Sequence, residues 1–509
     1  MPKRAVTANR PEIIFDRGSS APLYKQLYER LRTQILSGQL EAGARLPSTR
    51  TLASELGVSR NTTAIAYELL LLEGYIEARV GDGTRVARLQ PERLTQVETG
   101  ARTRSGRGPE EPVSHATGLS QRGRLLLRVA HPSELSGVSV NAAAHIFRAG
   151  HPDRDTFPYE LWARLVARRA RQSLRDVSSY QHAAGYYPLR EAIAAQVGIT
   201  RGVYCSPEQV ILTSGSQGAV DLAARALLDP GDAAWVEDPG YPGTYGALLG
   251  AGARLVPVPV DGEGLDVDAG RRLAPGARLV SVTPSHQFPT GVTMSLRQRL
   301  ALLEWAREAC AWILEDDYDS EYRFSGRPLE ALQGLDTSQR VIYIGTFSKV
   351  LFPALRLGYL IVPDQLVDGF LATRHYIDVH VPLLEQMALS DFMVEGHYAR
   401  HLRRMRLLYL ERRNTLVAEL RRTLSDMLDV TVPEAGMHLV AWLPPDMDDR
   451  EAARLATAHG VQVAPVSTFS LRPLARGGLM LGFAGASQQE LRDGVRTLAT
   501  ALRSVQRLR

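Results

Sequence analysis

The sequence contains almost no lysine and almost no cysteine. Only three of its 60 lysine and arginine residues are lysines, namely Lys3, Lys25 and Lys349. The two cysteines, Cys205 and Cys310, are too few for a disulfide framework or a zinc cage. No apolar run reaches the ~18 residues of a membrane span, and the first residues lack the apolar core of a signal peptide. These absences predict a reduced, cytoplasmic protein with no membrane partner.

Lys349 lies in the stretch YIGTFSKVLFPALRLGYL, residues 343–360, and is the only lysine after Lys25. One interpretation is a chance surviving lysine paired with a carboxylate. The other is chemistry, because a buried lysine amine can lose its proton and attack a carbonyl, whereas a guanidinium stays protonated. The commonest such use is a Schiff base with pyridoxal phosphate. The lysine count leaves both interpretations open, and the neighbouring residues must decide.

Length and charge suggest several units with different partners. A chain of 509 residues predicts about three folded units, and its hydrophobic fraction of 44% is that of a globular protein. Residues 1–88 carry 13 basic and 9 acidic side chains, so the net charge of +5 is concentrated at the front. This excess favours a polyanionic partner for the first unit.

Residues 1–88 follow the order helix, helix, helix, hairpin. The first helix is predicted by apolar residues at four-residue spacing, namely Leu23, Leu27, Leu31 and Ile35. Ser48 and Gly57 bound the second helix, and Ser59 caps the third. Two short strands flank a turn with Gly81 and Gly83. This order predicts a winged helix-turn-helix unit, mainly α-helical.

The remaining chain divides at about residue 139. Residues 89–138 have no hydrophobic period and are rich in Gly, Ser, Arg and Pro, which predicts a flexible linker. In residues 139–509, apolar runs such as QVILTSG and WILEDDYDS alternate with helical stretches. This alternation predicts a mostly parallel α/β sheet with helices on both faces, and we expect a smaller α+β subdomain at 395–509. Chemistry in such sheets gathers at the carboxyl ends of the strands.

Pyridoxal phosphate needs a lysine, a carboxylate for its pyridine nitrogen, an anion cradle and an aromatic face. The cradle candidate is a strand-to-helix turn formed by Ser214, Gly215, Ser216 and Gln217. Backbone N–H groups at a helix N-terminus bind phosphate through their free donors and the helix dipole. A plain serine-capped turn is the alternative.

The carboxylate candidate is Asp316, in the acidic run WILEDDYDSEYRF. Crowded like charges cost energy unless some face a cation, and a protonated pyridine nitrogen is such a partner. Tyr318 is then expected to reach the ring hydroxyl. A solvated acidic loop is the alternative, which the aromatic residues Tyr318 and Tyr322 disfavour.

The aromatic candidate is Tyr241, which a rigid Pro/Gly turn would aim at the cofactor ring; an ordinary strand exit is the alternative. Further phosphate partners are expected in the segment around Lys349, at Thr346, Ser348 and Arg356. Each of these segments is weak evidence for a pyridoxal phosphate site by itself, and their joint presence in this order is much stronger evidence.

In this order the segments resemble the class I, fold-type I aminotransferases over residues 139–509. The resemblance implies an aldimine at Lys349 and an active site between two subunits, with Tyr180 reaching the phosphate bound by the partner subunit. The stretch SHQFPTG resembles the family's Asn-Pro-x-Gly region, with His286 and Gln287 near the usual asparagine. Both residues are therefore expected to bind the cofactor.

The stretch LPSTRTLASELGVSRNTTAIAYELLLLEGYIEARVGDGTRV resembles a GntR-type winged helix. The resemblance implies DNA contacts from the second helix, the recognition-helix start and the wing tip, namely Arg50, Ser59, Arg60, Asn61, Thr62, Gly81 and Gly83. Arginine can read a guanine edge, whereas serine and threonine mainly hold phosphates. A helical dimerisation module is the alternative.

Both halves together resemble the MocR/GabR-type transcriptional regulators. The resemblance implies a homodimer that binds promoter DNA, uses pyridoxal phosphate and no metal, and senses a small amino compound. Two alternatives stay open. One is an active aminotransferase with a DNA-binding domain, and the other is a vitamin B6 sensor in which pyridoxal phosphate itself is the signal.

One residue departs from the aminotransferase pattern. That family carries an arginine in a strand pattern close to Leu-Arg-Leu-x-Phe, where it clamps the substrate carboxylate bidentately. Here the matching stretch is GGLMLGFAGAS, which places Met480 at that position, and no arginine lies between Arg476 and Arg492. The departure favours a regulator or sensor with little or no net transaminase turnover.

Overall fold

The chain divides into two compact units, Met1–Pro112 and Val113–Arg509. None of the helices in the described part is both long enough and apolar enough to cross a membrane. A computed structural model describes residues 13, 15–16, 21–79, 83–87, 118–129, 146–172, 178–324 and 330–507.

The first unit is the predicted winged helix. Its elements are helices α1 (Leu23–Leu36), α2 (Thr49–Leu56) and α3 (Arg60–Leu72) and the antiparallel strands β1 (Ile76–Arg79) and β2 (Gly83–Val86). The caps follow the sequence prediction, since the hydroxyls of Ser48 and Ser59 accept backbone N–H bonds in the first turns of α2 and α3, each at 3.1 Å.

The packing of α1 and two hydroxyl groups fix the angle between α2 and α3. Leu27, Leu31 and Ile35 of α1 are fully buried, whereas Leu23 at its start is exposed. The Thr63 hydroxyl donates to the carbonyl of Thr49 at 2.9 Å, and the Tyr67 hydroxyl donates to the carbonyl of Pro47 at 2.9 Å. These contacts hold the first turn of α3 at the surface.

A mostly parallel sheet of eight strands forms the centre of the second unit, within its described residues. Strands β9, β8, β7, β4 and β5 run parallel, whereas β10 is antiparallel to both its neighbours and β6 is antiparallel to β5. In spatial order the strands are β3 (Val210–Thr213), β10 (Gly358–Ile361), β9 (Val341–Thr346), β8 (Trp312–Asp317), β7 (Leu279–Val282), β4 (Ala233–Asp238), β5 (Arg254–Asp261) and β6 (Gly264–Leu265).

Helices cover both faces of this sheet, as predicted. Successive strand residues point to opposite faces, so Leu314 joins one core cluster with Phe370, and Ile313 joins another with Trp305. Among its described residues, the second unit as a whole has the helices α4 (Gln121–Val129), α5 (Tyr159–Gln172), α6 (Tyr187–Arg201), α7 (Ser216–Leu227), α8 (Pro242–Ala251), α9 (Val267–Leu273), α10 (Leu296–Glu308), α11 (Leu332–Leu335), α12 (Val367–His375), α13 (Leu383–Val394), α14 (His397–Leu424), α15 (Asp449–Ala458) and α16 (Gln488–Arg507).

A second, smaller sheet lies towards the C-terminus. All its strands are antiparallel, in the order β11 (Asp429–Val430), β12 (His438–Trp442), β14 (Gly478–Gly482) and β13 (Ala464–Pro465). The chain before α5 also joins this sheet, because the backbone N–H of Gly482 donates to the carbonyl of Phe147 at 2.8 Å. The predicted fold class, a winged helix plus a fold-type I domain with a smaller α+β part, is confirmed.

Helix α4 differs from the prediction of a flexible linker at 89–138. It lies within that segment and contacts α8, and Val129 packs against the core on that face of the sheet. The prediction relied on composition and overlooked Leu126, which lies beside Gly250 of α8, and Val129, whereas Leu125 and Leu127 are exposed. Residues 89–117 and 130–138 of the predicted linker lie outside the described residues.

Candidate cofactor site and DNA-contacting surface

A cavity of about 240 Å³ lies at the carboxyl ends of the parallel strands. The loops after β4, β7, β8 and β9 and the first turn of α7 each contribute to its wall, since parallel strands bring their ends to one edge of the sheet. The cavity brings together nine of the predicted cofactor residues, namely Ser216, Gln217, Tyr241, Asp316, Tyr318, Thr346, Ser348, Lys349 and Arg356.

Lys349 follows β9 and projects into the cavity. Its ammonium Nζ donates to the carbonyl of Gly150 at 3.0 Å. Burial lowers the pKa of Lys349, and the carboxylates of Asp319 and Asp316 act in the opposite direction. A lysine whose pKa is lowered reaches its nucleophilic, neutral form more readily than one in water.

Asp316 lies near the end of β8 with its carboxyl group against the cavity. Its side chain is buried, and its Oδ1 has no hydrogen-bond partner among the described residues. Burial, together with the charges of Asp317 and Glu237, raises the pKa of Asp316 to about 7, against the opposing effect of Lys349. A buried acceptor without a donor is costly, so this carboxyl group fits a ligand that brings a protonated nitrogen.

The turn before α7 and Arg356 form an anion cradle. Gly215 adopts a left-handed conformation, with φ of 88°, at the helix N-terminus, and a Cβ there would lie 3.4 Å from Nη1 of Arg356. The Arg356 guanidinium donates to the carbonyl of Ser214 at 2.7 Å. Ser214 and Gly215 therefore shape the cradle through their backbone, while the guanidinium and the helix N-terminus supply positive potential.

Two hydroxyl-bearing residues complete the cradle. The Ser348 hydroxyl is buried and has no partner within the part of the chain that the structure describes, so it can serve an anion. The Thr346 hydroxyl accepts the backbone N–H of Ser348 at 3.2 Å. Gln217 also lines the cavity, but its amide donates to the carbonyl of Gly243 at 2.8 Å and steadies the neighbouring turn.

The aromatic wall differs from the prediction by one residue. Tyr241 lines the cavity and meets the ring of Phe288 edge-on, with ring centroids 5.5 Å apart. The predicted Gln287 lies behind this wall, where its amide nitrogen donates to the carbonyl of Pro239 at 2.9 Å and its oxygen accepts from Thr290. Phe288 lies in the turn that follows Gln287, and its side chain lines the cavity in place of Gln287.

His286 also lies behind the wall and contacts Tyr318. Its Nδ1 is 3.0 Å from the Tyr318 hydroxyl and 3.1 Å from a carboxylate oxygen of Asp319. Burial raises the pKa of Tyr318 well above its ordinary value, as do Asp319 and other nearby acids. Tyr318 therefore stays protonated and can donate a hydrogen bond into the cavity, and His286 serves to hold it.

Sequence reasoning missed the residues on the side of the cavity that the C-terminal part of the chain forms, apart from Met480. We call this side the far wall, and it consists of Met437, His438, Phe469 and Met480. Met437 immediately precedes β12, His438 and Met480 belong to β12 and β14, and Phe469 ends a short 3₁₀ helix, Val466–Phe469. Burial lowers the pKa of His438 to about 3, so it is neutral. No motif in the sequence marks Met437, His438 or Phe469.

Tyr180 lies outside the cavity. Its side chain is 88% exposed and meets the ring of His380 edge-on. Tyr180 does not line the cavity of its own chain. A contact of its side chain with a bound phosphate would therefore have to be made in a partner subunit.

The first turn of α3 and helix α2 present the predicted DNA-contacting residues. Arg50, Arg60 and Asn61 are exposed, whereas the Ser59 hydroxyl caps α3 and bonds the Thr62 hydroxyl at 2.8 Å. Gly83 begins β2 at φ of 79°; Gly81 lies outside the described residues.

Comparisons with known proteins agree with both halves of this arrangement. Residues 149–498 match the family of class I and II aminotransferases, and residues 23–86 match the gntR family of bacterial regulatory proteins. The crystal structure of LysN, an alpha-aminoadipate aminotransferase from Thermus thermophilus complexed with N-(5'-phosphopyridoxyl)-L-leucine, is similar with a TM-score of 0.67 and 29% identity. The match covers 77% of this chain and 96% of that one.

Full-length relatives combine the two halves. The probable rhizopine catabolism regulatory protein MocR of Rhizobium meliloti is 45% identical over 96% of this chain and 95% of its own length. The pyridoxine biosynthesis regulator PdxR of Corynebacterium glutamicum is 29% identical over 92% of this chain and 93% of its own. The chain therefore belongs to the MocR-type transcriptional regulators, in which a gntR-family winged helix is joined to an aminotransferase-like domain.

Proposed function

We propose that the cavity binds pyridoxal phosphate and that a small amino compound acting there changes the affinity of the winged helix for promoter DNA. The observation that carries this proposal is the meeting of Lys349, the only lysine after Lys25, with the unpartnered carboxyl oxygen of Asp316 in one cavity. The two activities would belong to residues 1–88 and 139–509, joined through residues 89–138.

Each cofactor demand has a residue to meet it. When bound, the cofactor would supply an aldehyde and an electron-withdrawing ring. Lys349 would hold the aldehyde carbon, Asp316 would keep the pyridine nitrogen protonated, and Tyr318 would donate to the ring hydroxyl. The cradle of Ser348, Arg356 and the α7 N-terminus would hold the phosphate. The phosphopyridoxyl group in the LysN complex supports this assignment.

We also propose a homodimer formed through the second unit. Large apolar or aromatic side chains are exposed on its described surface, namely Tyr180, Ile199, Tyr204 and Tyr376, each more than 75% exposed. In the dimer the Tyr180 hydroxyl would reach the phosphate bound by the other subunit. Sedimentation velocity of the holoprotein at micromolar concentration should show a dimer, and a monomer that still carries cofactor would refute this proposal.

Lys349→Arg should abolish covalent attachment of the cofactor and preserve the fold, because the charge remains and the nucleophile is lost. The measurement is borohydride reduction of the holoprotein followed by peptide mass spectrometry. Lys25→Arg is the matched control and should keep the adduct at Lys349. An adduct that maps to Lys3 or Lys25 in the wild type would contradict the proposed function.

Asp316→Asn should weaken cofactor binding by about tenfold or more, because a hydrogen bond to a charged group contributes about 1.5–3 kcal/mol. The measurement is a cofactor titration followed by visible absorbance. Asp364→Asn, at an exposed position, is the control and should bind as the wild type does. An unchanged cofactor affinity in Asp316→Asn would show that Asp316 does not bind the cofactor.

The same substitution should stabilise the cofactor-free protein at pH 8. The pKa of Asp316 is raised to about 7 in the fold, so its proton-linked stabilisation is complete below about pH 4 and is lost as the pH rises through 7. Urea unfolding should therefore give the variant a higher free energy of unfolding than the wild type at pH 8, with a smaller difference at pH 5. A variant that is less stable than the wild type at both pH values would indicate a structural role for the carboxylate.

Arg50→Ala and Arg60→Ala should each weaken binding to a duplex selected from a random pool by the wild-type protein. A base-contacting arginine should cost about 1–3 kcal/mol and relax sequence preference, whereas a phosphate-contacting one should reduce the salt slope by about 1. Gel-shift titration at several salt concentrations separates the two. Arg30→Ala, on α1, is the matched control. If both variants bind as the control does, this surface is not the DNA interface.

A further inference from the structure

The far wall of the cavity offers no charge for an anionic ligand. Met437, Phe469 and Met480 are apolar, and His438 is neutral because burial depresses its pKa. The ring nitrogen Nε2 of His438 is also engaged, since it bonds the carbonyl of Pro289 at 3.0 Å. Any ligand group that rests against this wall must therefore be apolar or bring its own hydrogen-bonding partners.

Met480 belongs to this wall and cannot bind a carboxylate. It lies in β14 between Val440 of β12 and Ala464 of β13, its partners in the neighbouring strands. Its side chain is 4% exposed and lines the cavity. A thioether has no charge and no donor, so the position that would hold a guanidinium clamp presents only a polarisable, apolar surface.

The described charged groups that face the cavity leave no cation for an anion other than the cofactor phosphate. Lys349 and Arg356 are the only lysine and arginine among its described lining residues. Arg356 is tied to the cradle through the carbonyl of Ser214, and Lys349 is reserved for the cofactor aldehyde. The remaining charged groups are the carboxylates of Asp316 and Asp319.

Asp319 lies beside the far wall and offers a counter-charge for a cation, since a carboxylate oxygen of Asp319 and a ring nitrogen of His438 lie within 4.8 Å of each other. Its carboxylate oxygens are 3.1 and 3.2 Å from Nδ1 of His286, and the Asp319 side chain is almost completely buried. It is also the charge that most favours the protonated form of Lys349. A carboxylate beside the far wall attracts an ammonium group and repels a second carboxylate.

We infer that the small compound sensed at this site is a cationic amine that lacks a carboxylate, held with its ammonium group towards Asp319 and its carbon skeleton against Met437, Phe469 and Met480. This inference rests on the proposed function and narrows it, because an α-amino acid would bury a carboxylate without a counter-charge. The chemical class is thus an alkyl, aryl or amino-alcohol amine.

The test compares amino acids with their decarboxylated amines on the wild-type holoprotein. Three matched pairs serve as probes: leucine and 3-methylbutylamine, phenylalanine and 2-phenylethylamine, and ornithine and putrescine. Two readouts are followed, the visible absorbance of the bound cofactor and the affinity for the selected duplex. Amines should act at concentrations at least about tenfold lower than their amino acids, which corresponds to about 1.4 kcal/mol.

Substitution of Met480 tests the assignment of the wall itself. Met480→Arg should reverse the preference within each pair, because a guanidinium supplies the missing bidentate partner for a carboxylate. Met480→Leu is the matched control, since it keeps the volume and the apolar surface, and it should retain the preference for amines. Retention of the cofactor's visible absorbance in each variant shows that the cavity is intact. If Met480→Arg does not fold, the inference is tested by the responses of the wild type and of Met480→Leu to the three probe pairs.

Three outcomes would overturn the inference. The first is a response of the wild type to the amino acids that equals or exceeds its response to the amines. In that case Arg148, whose charge acts on Lys349, is the candidate for a substitute carboxylate clamp, and loss of the response in Arg148→Gln would identify it. The second is no response to any amine at millimolar concentration while the cofactor absorbance is present. The third is a Met480→Leu variant that favours amino acids. Absence of bound cofactor, with no adduct at Lys349, would instead refute the proposed function.

Discussion

The buried carboxyl group of Asp316 is the constraint on which the cavity depends. It lies in a strand flanked on both sides by parallel neighbours, where it is removed from water and next to other acids. Its cost is not relieved by a direct bond to Lys349, because that ammonium donates to the carbonyl of Gly150. The fold thus holds an acid and a base apart in one cavity, and a ligand with a protonated ring nitrogen and an aldehyde would satisfy both.

The sequence predicted best those residues that immediately follow a strand. Apolar runs that stop at polar residues mark strand ends, and parallel strands carry those ends to one edge, so Lys349, Asp316, Tyr318 and Tyr241 could be placed together from their positions alone. The α1 face and the caps of α2 and α3 were equally readable, because a helix period and an N-cap serine are local signals. Both halves of the fold class followed from these patterns.

Features that depend on one residue of register or on distant contacts could not be read in the same way. Which of Gln287 and Phe288 faces the cavity is decided by the path of the turn after β7, and a motif resemblance cannot resolve it. Met437, His438 and Phe469 reach the cavity only because the small sheet packs there. Helix α4 was hidden by the polar composition of its surroundings.

The division of the cavity between two sheets has a consequence for how such regulators diversify. The residues suited to cofactor retention belong to the large sheet, whereas Met480 belongs to β14 of the small one, beside Val440 and Ala464. A single nucleotide change converts the methionine codon ATG into the arginine codon AGG. Under the proposed function, a lineage with this architecture could exchange an amine ligand for an amino acid in one mutational step, while the residues proposed to hold the cofactor stay unchanged.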